Sequence, residues 1–119
     1  MTKKNHLSSG DLTPGERLLI SRRRQDLTQA QMADALGMSL LAYRSMELGE
    51  ERIPGGYKIP KVALGVLAPF EQAVILRHRS GKSQADTCAD MGISKWWLRR
   101  MEINDDCNTD RLLSYWNLI

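Results

Sequence analysis

Two stretches of the chain concentrate side chains suited to gripping phosphate oxygens and the flat edges of heterocycles. The first holds Gln29, Ser39, Leu40, Leu41, Arg44 and Ser45. The second holds Gln84, Ser94, Lys95, Trp96, Arg99 and Arg100, with Trp97 next to Trp96. A guanidinium donates two parallel hydrogen bonds to a pair of acceptors. A glutamine amide both donates and accepts, and leucine or indole adds apolar contact. Covalent chemistry has far less support. The two histidines are His6, in the N-terminal segment, and His78. No nucleophile has a recognisable base partner and no glycine-rich loop follows a strand. Asp105 and Asp106 read as a loop and helix start, Cys88 as core, Cys107 as a loop thiol, and Met32, Met38, Met46 and Met101 as core positions. No catalytic residue, metal or cofactor is expected.

The bulk composition agrees. In 119 residues the hydrophobic fraction is 42% and the charged fraction 26%, values typical of a soluble globular protein. The net charge of +3 and pI of about 9.1 permit a phosphate-bearing partner without demanding one. No apolar run approaches the roughly 20 residues that span a bilayer, and the N-terminus is unlike a secretory signal. Cys88 and Cys107 form no CxxC pair, so a cytoplasmic, reducing location without membrane contact is expected. Only one Phe is present and no alternating run of strand length survives the helix signals, so the chain reads as all-α.

The elements that must position these residues come in two copies. A shift of 55 residues superposes Pro14 on Pro69, Glu16 on Glu71, Ile20 on Ile75, Arg22 on Arg77 and Arg24 on Arg79. It goes on, without a gap, through Gln29 and Gln84, Ala30 and Ala85, Gly37 and Gly92, Ser39 and Ser94. Arg44 and Arg99, Met46 and Met101, and Glu47 and Glu102 complete it. The expected organisation is a flexible tail over 1–13, one unit over 14–67 and a second over 68–119.

In the first copy a helix is expected from about Gly15 to Arg24, with Leu18, Leu19 and Ile20 as its apolar stripe and Pro14 in its first turn. Thr28 and Gln31 form a capping box for a helix that runs through Met32 and Leu36 and stops at Gly37. Ser39 caps a third helix from Leu40 to about Leu48. Ala33 is small where two helices cross, and Tyr43 and Met46 face inward, leaving Leu40, Leu41, Arg44 and Ser45 outward. Two short helices joined by a glycine-containing turn, the second exposed, make a helix-turn-helix. A connector helix is expected from Pro60 to Leu67. The Arg22-Arg23-Arg24 run reads as a solvated helix end, with Arg22 to Glu47 and Arg77 to Glu102 as alternative internal ties.

Leu27-Thr28-Gln29, Ala33, Leu36-Gly37, Ser39, Met46-Glu47 and Gly49, with Arg22 upstream, resemble the Cro/CI-type (XRE-like) helix-turn-helix regulators over about Gly15 to Pro54. Asp26 stands where that family often has Gly, and Ser21 where an apolar residue is usual. The second copy resembles the family less: Ser83 and Asp86 cap Gln84 to Met91, Cys88 replaces Ala33, Gly92 ends the helix and Ser94 caps the next. Leu98 and Met101 face inward. Thr87 replaces the apolar Met32, so this unit is expected to pack less tightly. A closing helix is expected over Thr109 to Leu118.

The resemblance implies a transcriptional regulator, commonly an autoregulatory repressor of phage or mobile-element type, reading a double-stranded DNA operator as a homodimer. In that arrangement Gln29 and Gln84 would anchor on phosphate, Arg44 would contact guanine, and Leu40 and Leu41 thymine methyls. Ser39, Ser45, Ser94, Lys95, Trp96, Arg99 and Arg100 complete the expected contact set. A protein-interaction module (antitoxin-like or an adaptor) anchored by Trp96 and Trp97, and an RNA-binding regulator, remain open alternatives.

Overall fold

The computed structural model describes residues 7–103 and 109–118. Among them the chain is all-α, with helices α1 (Pro14–Arg24), α2 (Gln29–Ala35), α3 (Leu40–Leu48), α4 (Pro69–Ser80), α5 (Gln84–Met91), α6 (Lys95–Ile103) and α7 (Asp110–Tyr115). Two compact units divide it: Ser8–Val66, and a second that begins at Leu67 and also takes in Leu7. The starts of α1 and α4, of α2 and α5, and of α3 and α6 are each 55 residues apart, as subtraction of their first residue numbers gives.

Local chemistry sets these boundaries. The Glu16 amide donates to Thr13 Oγ1 at 3.2 Å and the Thr13 amide returns to Glu16 Oε1 at 2.9 Å, closing a capping box on α1 with Pro14 just inside it. Thr28 and Gln31 do the same for α2 at 3.1 and 2.9 Å, and Ser83 and Asp86 for α5 at 3.0 and 3.2 Å. Ser39 Oγ accepts from the Ala42 amide at 3.1 Å, and Ser94 Oγ from the Trp97 amide at 3.3 Å.

Each unit closes on its own core. In the first, Leu18, Met32, Ala33, Tyr43 and Met46 are buried together, with Leu27, Met38, Ile53, Ile59 and Val62 against them. In the second the cluster is Ala73, Cys88, Leu98, Met101, Leu112, Leu113 and Leu118. Leu18 and Tyr43 give way to the smaller Ala73 and Leu98, and α7 supplies the missing apolar volume. Thr87 stands in this unit where the first has Met32. It is fully buried, and its hydroxyl donates to the Ser83 carbonyl at 3.1 Å, so its polar atom is satisfied within α5.

Three expectations need correction. The first six residues of the 1–13 tail lie outside the described residues, but Leu7 to Thr13 are built into the fold. The Leu7 amide donates to Gln72 Oε1 at 2.8 Å, Ser9–Asp11 forms a 3-10 turn, and Leu12 is buried. The connector helix over Pro60–Leu67 is absent: this segment has no helical residues and bends at Val66. Gly65, at φ +68°, interrupts any helix, and α1 takes the carbonyl oxygens that a helix would need. Arg17 Nη1 donates to Val62 O at 3.5 Å, Arg24 Nη1 to Leu64 O at 2.6 Å and Arg24 Nη2 to Val66 O at 3.0 Å. The arginine run is therefore not simply a solvated helix end, since Arg22 and Arg24 both hold structure.

Asp26 takes a left-handed conformation at φ +56°, and the equivalent position in the second unit is Gly81 at φ +74°. A side chain pays for that conformation where glycine does not. Asp26→Gly is expected to stabilise the protein by about 0.5 kcal/mol and Gly81→Ala to destabilise it by about 1 kcal/mol. Urea unfolding midpoints check the opposite signs, and a shared sign would contradict the reading.

Candidate nucleic-acid interface

The outward helices α3 and α6 rest on matching polar locks. Arg22 Nε donates to Glu47 Oε2 at 2.7 Å and Arg22 Nη1 to the Leu27 carbonyl at 3.0 Å. Gln29 Nε2 donates to Glu47 Oε1 at 3.0 Å, so one buried carboxylate ties α1, α2 and α3 together. In the second unit Arg77 Nε donates to Glu102 Oε2 at 2.8 Å, Arg77 Nη1 to Lys82 O at 3.4 Å, and Gln84 Nε2 to Glu102 Oε1 at 3.1 Å. The internal ties weighed for these arginines are thus formed. Tyr43 is buried beside the first lock. Desolvation, then the Glu47 carboxylate, push its phenol well above the usual tyrosine range, so it stays neutral.

The locks change what the anchoring glutamines offer. Gln29 Oε1 also accepts from Arg44 Nε at 3.3 Å, so its side chain is directed into the protein rather than displayed alone. What remains outward is the backbone end of α2 and the distal guanidinium of Arg44.

The face of α3 is narrower than expected. Leu41 is 66% exposed and Leu48 64%, with Arg44 exposed between them, while Leu40 is half-buried and Ser39 is exposed at the cap. Ser45 is a correction: it is only 5% exposed, on the inward side of α3 with the fully buried Ala42 and Met46. Burial removes it from any contact set. Leu48 was missing from that set; its spacing of seven from Leu41 puts both on one helix face, which is the signal that finds it.

The face of α6 is wider. Ser94, Lys95, Arg99 and Arg100 are exposed, as are Trp96 (58%), Trp97 (49%) and Ile103. Gln84 is half-buried against Glu102. The Trp96 and Trp97 rings meet edge-to-face, with centroids 4.8 Å apart and planes at 78°, and the Arg100 guanidinium lies over Trp96 at 5.0 Å. Trp97 occupies the register of the fully buried Ala42, so reasoning by the repeat alone would place it inside.

A second polar cluster holds α7 to α5. Lys82 Nζ donates to Asp90 Oδ2 at 2.6 Å and to Tyr115 OH at 2.8 Å, and that hydroxyl donates to Asp90 at 2.7 Å. The hydrogen bond from Lys82, then that from Tyr115, hold Asp90 below the usual carboxylate range; the same bonds, that to Asp90 first, hold Lys82 above the usual lysine range.

Among the described residues no group of three or more His, Cys, Asp or Glu side chains is placed to hold a metal ion, and no helix is long and apolar enough to cross a membrane. Asp105, Asp106 and Cys107 lie outside the described residues. Comparison of the chain with protein-family models, curated proteins and solved structures gives no match.

Proposed function

We propose that the protein is a sequence-specific, double-stranded DNA-binding transcriptional regulator of the Cro/CI-like helix-turn-helix kind, acting in the cytoplasm as an autoregulatory repressor and as a homodimer. The observation that carries this reading is the exposed helix seated on a glutamate lock, α3 with Arg44 and α6 with Lys95, Arg99 and Arg100. A helix held this way enters a major groove, where an arginine reads the two acceptors of guanine. Leu41 is placed for a thymine methyl, and the cations of α6 supply attraction to phosphate.

Selection of sites from a random duplex pool at near-physiological salt tests this. One enriched motif is expected, with affinity that falls steeply as salt rises. Arg44→Ala and Arg99→Ala are each expected to weaken binding to that motif by about 5- to 150-fold, the equivalent of about 1–3 kcal/mol per base contact. Far-UV circular dichroism should be unchanged, since both side chains are exposed. Operator binding unaltered in both variants would overturn the site assignment. A pool that enriches nothing would favour a protein partner, for which the exposed indoles of Trp96 and Trp97 are the specific support.

A further inference from the structure

We propose that the outer face of α6 is a binding site for single-stranded nucleic acid, in which unpaired bases stack on Trp96 and Trp97 while Lys95 and Arg99 meet the phosphates. This site shares the cations of α6 with the duplex reading and differs from it in using the two indoles, so substitution of Trp96 and Trp97 lets the two fail separately.

The units differ most where this face lies. The register positions of Trp96 and Trp97 are Leu41 and Ala42 in the first unit, the one exposed but without a flat ring and the other fully buried. A duplex shows a reading helix only the edges of its base pairs, for which Leu41 and Arg44 suffice. An indole plane is matched instead by the face of a base, and a base offers its face only when unpaired. Two indoles set at 78° cannot both lie parallel to one continuous stack, so together they suit splayed bases. The Arg100 guanidinium over Trp96 restrains that ring before any ligand arrives.

Charge selects nucleic acid over a protein. The face carries Lys95, Arg99 and Arg100 interleaved with its aromatics, and the only acid on α6, Glu102, is fully buried in its lock. The core of a protein interface is depleted of such charges, whereas single-strand sites pair aromatic planes with a cationic track.

The test uses full-length protein with Trp116→Phe, so that emission comes from the α6 pair alone, and fluorescein-labelled 12-mers of thymidylate and of uridylate in low salt. Either 12-mer is expected to quench the indole emission. Its binding, followed by anisotropy with the wild-type chain as well, should weaken about 5- to 150-fold in Trp96→Ala and again in Trp97→Ala. A preference for one 12-mer would report whether the 2′-hydroxyl is read, and binding of either supports the site. A hairpin duplex of equal charge can meet the same cations but not the indole planes, so its own affinity should be unchanged in Trp96→Ala and Trp97→Ala. Absence of quenching, 12-mer affinities unchanged in both alanine variants, or a hairpin duplex weakened as much as the 12-mers by those substitutions would each overturn the proposal, whatever the site selection finds for duplex DNA.

Discussion

Glu102→Ala is expected to lower the folding free energy by about 3 kcal/mol, at the lower end of what breaking a buried ion pair costs. The carboxylate is fully buried and takes hydrogen bonds from Arg77 Nε at 2.8 Å, Arg77 Nη2 at 3.2 Å and Gln84 Nε2 at 3.1 Å. Its loss strands a guanidinium that is itself mostly shielded, and frees the amide of Gln84. The cost arises from those uncompensated donors, so removing both charges should hurt less than removing one. Arg77→Met with Glu102→Met is therefore expected to be milder than Glu102→Ala alone. Glu47→Ala should behave like Glu102→Ala, because Arg22 and Gln29 stand in the same relation to it. Urea titration followed by circular dichroism provides the measurement. A loss below about 1 kcal/mol for both single variants would show that the locks are not what seats α3 and α6.

Gly15→Ala should also destabilise, again by about 3 kcal/mol, although the same change in an exposed helix stabilises by about 1 kcal/mol. The reason is the closeness of α1 to the end of α3. A Cβ at position 15 would lie 2.7 Å from the Glu47 carbonyl oxygen and closer still to that of Met46. Both obstacles are backbone, so neither can swing aside, and α1 and α3 would have to separate. That separation would stretch the Arg22–Glu47 pair as well, so loss of stability and loss of any activity carried by α3 should appear together. Thermal unfolding of the variant gives the answer, and a melting point at or above that of the parent would contradict this packing. The equivalent position in the second unit is Phe70, half-buried. That residue would not fit where Gly15 sits, so the second unit must pack its α4 differently, and its core is completed by Leu112 and Leu113 of α7.

Much of this architecture follows from short-range sequence signals. Thr28 with Gln31, Ser83 with Asp86, and Gly37 and Gly92 at positive φ mark helix ends by chemistry that spans at most four residues. The spacing of Arg22 to Glu47, repeated as Arg77 to Glu102, offers the two ion pairs as an alternative to a solvated helix end, because a duplicated pair points to a shared structural tie. The exposure of Leu41, Arg44, Lys95, Trp96, Arg99 and Arg100 likewise follows from helical periodicity.

What the tertiary structure decided depends on groups distant in sequence. The repeat leads to an expected connector helix over 60–67, but Arg17 and Arg24, some 40 residues earlier, take the carbonyl oxygens of Val62, Leu64 and Val66 in a segment that is not helical. Ser45 lies on a polar helix edge in sequence, yet the Pro54–Gly56 turn packs on α3 and Ser45 is buried. Gln29 reads as a free amide until Glu47 and Arg44 are seen to occupy both ends of it. Trp97 is exposed, as the sequence reading of the tryptophan pair expects, although its counterpart Ala42 in the first unit is fully buried. Helix caps and periodicity are properties of neighbouring residues, and a sequence states them directly. Which partner a carbonyl, an amide or a ring finds across 15 to 45 residues is settled by competition among contacts that exist only once the chain has folded.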